Sequence, residues 1–205
     1  MTTPALTRHD APDPHAVLLM LHGGKEHSTS PVDWRSMSWR RSHAMQRAIT
    51  PIAHRSQVST WLLRYRHRGW NDVHSPSPVP DARWALDQVV AALGDVPVVL
   101  LGHSMGARTA VHVADHQSVS GVVALAPWLP VDDPIGALRG RHLAAAHGRR
   151  DRITSSGATK RYVDRAAAVA STTEMHDMGQ VGHYMLRDIA AWNEFAISRA
   201  LAMLG

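Results

Sequence analysis

The chain has 205 residues, 44% hydrophobic and 19% charged, the proportions of an ordinary globular protein long enough to bury a full core. It contains no cysteine, which excludes disulfides and thiolate metal sites. The net charge of +5 is carried almost wholly by arginines spread from Arg8 to Arg199 rather than gathered on one segment, which argues against a nucleic-acid-binding face.

Residues 1–15 are polar and proline-rich, without the apolar centre of a secretory signal, and no apolar run approaches the length of a membrane span. The expectation is one soluble, cytoplasmic domain over residues 1–205, with no membrane partner. Beyond that segment, short apolar runs alternate with longer amphipathic ones. Strands are predicted at 15–21, 58–65, 97–101, 121–126, 142–147 and 172–178, and helices at 34–49, 80–93, 105–116, 155–170 and 184–204. The last helix carries Met185, Ile189, Trp192, Phe195, Ala196 and Leu201 at spacings that form one apolar face. Such alternation predicts an α/β fold, a three-layer sandwich whose mostly parallel sheet of about six strands has helices on both faces.

In an open parallel sheet, ligands bind beyond the carboxyl ends of the strands. The residues that follow the predicted strands are His22-Gly23-Gly24, the run from Arg66 to Trp70, Ser104, Trp128-Leu129-Pro130, Asp151 and His183. Chemically useful groups therefore gather on one rim.

The most specific of these is Gly102-His103-Ser104-Met105-Gly106, entered directly from the apolar run Val98-Val99-Leu100-Leu101 and followed by a helix-forming segment. A serine hydroxyl is a poor nucleophile unless it stands clear of the backbone within reach of a base, and a Gly-x-Ser-x-Gly turn between strand and helix provides that. Its activation needs a neutral imidazole to take the proton and a carboxylate to orient that imidazole. Among fifteen histidines, His183 and His176 lie at the end of the final predicted strand, and His183 ends a glycine-flanked loop. The acid candidates are Asp151, in the turn after the fifth strand, and Asp132 and Asp133, after the fourth. His112 and His116 lie four apart on a predicted helix. They lack the Glu of the zinc-protease pattern and sit roughly 12–18 Å along the helix from Ser104, so no metal and no cofactor is expected.

Taken together, the turn His22-Gly23-Gly24, the serine elbow, the segment from Gly121 to Trp128, the turn around Asp151 and Gly182-His183 resemble the α/β-hydrolase superfamily over nearly the whole chain. The resemblance implies a catalytic triad of Ser104, Asp151 and His183. It implies an oxyanion hole made by the backbone N–H of Met105 with that of Gly24, or of Lys25. His22, Lys25, His103, Trp128, Leu129 and Tyr184 are expected to line the substrate site, with His27 as a further candidate and Arg66 and Arg68 as surface residues. The family commonly starts with two extra antiparallel strands and inserts a cap after the strand that here ends at Ala126. Only about fifteen residues separate Ala126 from the next strand, so a reduced, lidless version is expected, with an open site. The implied activity is hydrolysis of a small carboxylic ester or thioester through an acyl-enzyme. The same residues would serve an acyltransferase or amidase, and a non-catalytic small-molecule sensor on the same fold is the alternative from another class.

Overall fold

The computed structural model describes residues 3–205. Its strands are β1 (Ala5–His9), β2 (Ala16–Leu21), β3 (Val58–Arg64), β4 (Val98–His103), β5 (Val119–Leu125), β6 (His142–His147) and β7 (Thr172–Asp177). The helices are α1 (Met37–Arg55), α2 (Pro78–Leu93), α3 (Met105–Val113), α4 (Ser156–Ala166) and α5 (Ile189–Ala202). Among the described residues, seven strands form one sheet in the order β1-β3-β2-β4-β5-β6-β7. All neighbours are parallel except β1 and β3.

The central strands are mostly apolar, β2 (AVLLML) throughout, because both faces of the sheet are covered. In β2, Val17, Leu19 and Leu21 pack on one side with residues of α2, α3 and α4, while Ala16, Leu18 and Met20 pack on the other with Met45 and Ile49 of α1 and Trp192 and Phe195 of α5. The three-layer expectation is met.

The sheet has one strand more than expected. β1 was missed because its sequence, ALTRH, has neither an apolar run nor a clean alternation. Tertiary contacts hold it: it pairs antiparallel with β3, and the wholly buried Gln46 of α1 donates from Nε2 to the carbonyls of Thr7 (3.0 Å) and Thr60 (2.9 Å). The helix boundaries also differ. α1 begins at Met37 rather than 34 and runs past Pro51 to Arg55, with Thr50 Oγ1 donating to the Gln46 carbonyl (2.7 Å) and Ala53 buried in the core. α3 ends at Val113 and α5 begins only at Ile189, leaving 184–188 as a loop.

No helical cap follows β5. Between it and β6 lies a single 3₁₀ turn at Gly136–Leu138, tied down by a buried ion pair of Arg108 Nε and Nη2 with Asp133 (2.5 and 2.6 Å). No helix among the described residues is long and apolar enough to cross a membrane.

Candidate active site

Parallel pairing brings the carboxyl ends of four strands level: Leu21 lies beside Gly102, Gly102 beside Ala124, and Leu125 beside Ala146. The turns leaving β2, β4, β5 and β6 therefore open on the same rim, and the loop after β7 brings His183 to it.

The turn between β4 and α3 consists of Ser104 alone, at φ 55° and ψ −118°. A non-glycine residue in that region costs on the order of 1–3 kcal/mol and persists only where its surroundings impose it. Here the Ser104 amide donates to the Leu125 carbonyl (3.1 Å), and the Ser104 carbonyl accepts from Ala107 (3.1 Å) and Trp128 (3.2 Å). Both flanking glycines are required by space. A Cβ on Gly102 would run into the backbone of Ala107, and one on Gly106 into the Leu21 carbonyl.

Ser104 Oγ donates to His183 Nε2 (3.0 Å), and His183 Nδ1 donates to Asp151 Oδ2 (2.8 Å). All three side chains are buried or nearly so. Asp151 sits in a dense set of donors. Oδ1 accepts from the amides of Ile153 and Thr154 (both 2.8 Å), and Oδ2 also accepts from Thr154 Oγ1 (2.8 Å) and His147 Nε2 (3.1 Å). Burial alone would raise its pKa, but the hydrogen bonds from His147, His183 and Thr154 outweigh burial and hold it well below the usual carboxylate range. The carboxylate stays ionised, which fixes the His183 proton on Nδ1 and leaves Nε2 as an acceptor toward Ser104.

The other acid candidates are committed elsewhere. Asp133 is held by Arg108 and by His112 Nε2 (3.3 Å), and Asp132 is exposed. His176 is stacked on Phe195 at 5.2 Å between centroids. His112 and His116 face different partners, Asp133 and Asp87.

A cleft of about 330 Å³ opens at Ser104, walled by Gly24, Lys25, Trp128 and three residues missed from sequence, Glu26, Ile153 and Thr154. The amides of Gly24 and Met105 have no hydrogen-bond partner among the described residues, whereas that of Lys25 donates to the Arg68 carbonyl (2.8 Å). Of the two candidate second donors, only Gly24 is therefore available to an anion. A Cβ there would collide with the Met105 side chain and the Arg68 carbonyl, so the close approach requires glycine.

Several residues expected to line this cleft do not. His22 is completely buried, with Nδ1 donating to the Gly23 carbonyl (2.6 Å) and Nε2 accepting from the Tyr65 amide (3.4 Å), and burial lowers its pKa to about 4. His103 alternates to the side of β4 away from the opening and donates from Nε2 to the His183 carbonyl (3.0 Å), bracing the loop that carries His183. Burial and the nearby His183 lower its pKa to about 3, so it is neutral. Leu129 packs in the core. Tyr184 is half exposed, set edge-on to His183 at 5.4 Å, and His27 is exposed beside Glu26. Arg66 and Arg68 are paired with Asp81 and Asp33. The sequence signal for Thr154 was its position three residues after Asp151, the spacing of a side-chain-closed turn. That for His147 was its place at the end of β6, four residues before the acid.

The sequence profile described as "Alpha/beta hydrolase family" matches residues 18–202. The chain belongs to the alpha/beta hydrolase family. No curated protein matches it significantly. Solved structures share the fold at low identity. Est1E from Butyrivibrio proteoclasticus has a TM-score of 0.72 at 12% identity, over 98% of this chain and 95% of that one. The Est2 esterase from Thermogutta terrifontis with propionate bound has 0.71 at 15%, over 98% and 88%. An alpha-beta serine hydrolase homologue from Coxiella burnetii has 0.69 at 18%, over 96% and 90%. This alpha/beta hydrolase is thus matched along nearly its whole described length.

Proposed function

We propose that this alpha/beta hydrolase cleaves a small carboxylic ester or thioester through an acyl-enzyme formed on Ser104. The observation that carries the reading is the unbroken series from Ser104 through His183 to Asp151, opening on a cleft beside two unpaired amides. His183 Nε2 takes the Ser104 proton as Oγ attacks the carbonyl carbon. The oxyanion that develops accepts from the amides of Gly24 and Met105, where the N-terminus of α3 favours negative charge. His183 returns the proton to the departing alkoxide or thiolate. Water then repeats the sequence on the acyl-enzyme, releasing the acid and regenerating Ser104.

The relatives support the substrate class: Est2 structures hold propionate and butyrate, and Est1E holds ferulic acid. The absence of a cap between β5 and β6 supports a short acyl group, because an open cleft leaves additional methylenes in water. The test is covalent labelling by a fluorophosphonate followed by turnover of p-nitrophenyl esters, in the native chain and in Ser104→Ala. Labelling and turnover that both vanish in the variant bear the proposal out; turnover that survives in Ser104→Ala refutes it.

A further inference from the structure

A second cavity, of about 370 Å³, lies between the N-terminal half of α1 and the start of α5, outside the reaction cleft. Its size falls in the range of small-molecule sites. Its walls are soft and apolar, with Met37 and Met45 from α1 and Met185 and Leu186 from the loop before α5, a methionine-rich lining that moulds itself to a flexible chain. Met37 and Leu186 are 65% and 69% exposed, large apolar side chains left in water at its opening.

The polar groups of this cavity are one-sided. Arg40 and Arg41 line it and no carboxylate does. Among the lining residues, Arg41 Nε has no hydrogen-bond partner. A buried donor left unpaired costs stability. Asn193, beside Trp192, also lacks a partner on its carbonyl oxygen, and its amide can turn to present either end.

We propose that this cavity binds a free medium-chain fatty acid, with the alkyl chain among the methionines and the carboxylate paired with the Arg41 guanidinium. A neutral lipid leaves the two guanidinium groups without a counter-charge, and a bare inorganic anion leaves the apolar walls unexplained. The assignment is independent of the chemistry at Ser104. It does bear on that site, because the loop that delivers His183 also builds the cavity wall. The Tyr184 ring lies edge-on to His183 and under the Arg41 guanidinium, at 4.9 Å, and Met185 is held at φ 54°.

Titration calorimetry with decanoate below its micelle concentration, on the full chain, tests this directly without relying on turnover. One saturable site is expected, tightening by roughly threefold to fourfold per methylene from hexanoate to decanoate. Arg41→Met should weaken decanoate at least about tenfold, the loss of a charge-assisted hydrogen bond, and so should Ala44→Trp, which fills the space from an exposed position. Lys25→Met, in the reaction cleft, should leave decanoate affinity within about twofold. Thermal midpoints within a few degrees of the native chain establish that each variant is folded; the two cavity variants are independent, so either one suffices. The proposal is overturned if no saturable binding occurs, if 1-decanol binds as well as decanoate, or if binding falls in Lys25→Met but not in Arg41→Met. Association with anionic phosphatidylglycerol vesicles without binding of monomeric decanoate would equally refute it, marking the patch as membrane-directed.

Discussion

Three buried histidines surround the serine elbow, and their surroundings assign each a different task. His183 faces Ser104 and Asp151, while His103 and His22 are locked onto backbone groups and stay neutral. An unfolded imidazole titrates near pH 6.5, whereas burial lowers His22 to about 4 and His103 to about 3. Between those limits the unfolded chain binds more protons than the folded one. The stability these two histidines contribute is therefore full above about pH 6.5 and is lost as the pH falls toward 3–4. We expect the thermal midpoint to drop over that window, and to drop less steeply in His103→Gln, whose amide N–H keeps the bond to the His183 carbonyl but does not titrate. A slope identical to that of the native chain would remove His103 from this account. The ionised Asp151, depressed by its donors, adds a further loss at still lower pH. The acids also separate cleanly. Asp151→Asn should reduce kcat/KM roughly 10⁴-fold through the wrong histidine tautomer. Asp133→Ala should act on stability instead, by about 3–5 kcal/mol, because it strands the buried Arg108. Turnover per folded molecule and urea midpoints distinguish the two.

At the scale of elements, the elbow and the edge strand show opposite kinds of legibility. β4, Ser104 and α3 were readable because an apolar run, two glycines at fixed spacing and a helix-forming segment are each local signals. β1 was not, because nothing in ALTRH favours a strand until β3 and Gln46 are in place. Replacing Gln46 by Leu removes the donor to the Thr7 and Thr60 carbonyls. We expect a loss of roughly 2 kcal/mol and a thermal midpoint lower by about 4–8 °C, with ester turnover per folded molecule little changed. Calorimetry checks the first, and a midpoint equal to that of the native chain would show that β1 is held by its strand pairing alone. The late start of α5 has a similar origin. Met185 and Asp188 are held at φ 54° and 53°, which interrupts a run whose apolar spacing reads as continuous helix. That interruption frees 184–188 to carry His183 up to the serine.

For the whole molecule, the consequence of the short connection from β5 to β6 is an uncovered cleft at Ser104. Only a 3₁₀ turn of three residues, Gly136–Leu138, stands where a cap would be. The rate constant kcat/KM on p-nitrophenyl esters should therefore peak at short acyl chains, about two to six carbons, because each methylene left in water forfeits about 0.8 kcal/mol of binding. No jump in rate is expected when the substrate forms micelles. An optimum near twelve carbons would show that another segment covers the cleft.

The sequence alone determined the layer architecture, the parallel strands and the positions from which Ser104, Asp151 and His183 reach one rim. These follow from local periodicity and from the rule that parallel strands present their carboxyl ends together. It did not determine which rim residues face the cleft. His22 and His103 adjoin Gly23-Gly24 and Ser104 in sequence, yet their side chains turn into the protein, while Thr154 and His147 converge on Asp151. Side-chain direction at a strand end depends on where the chain goes next and on which buried groups still need partners. Both are decided only when distant segments pack.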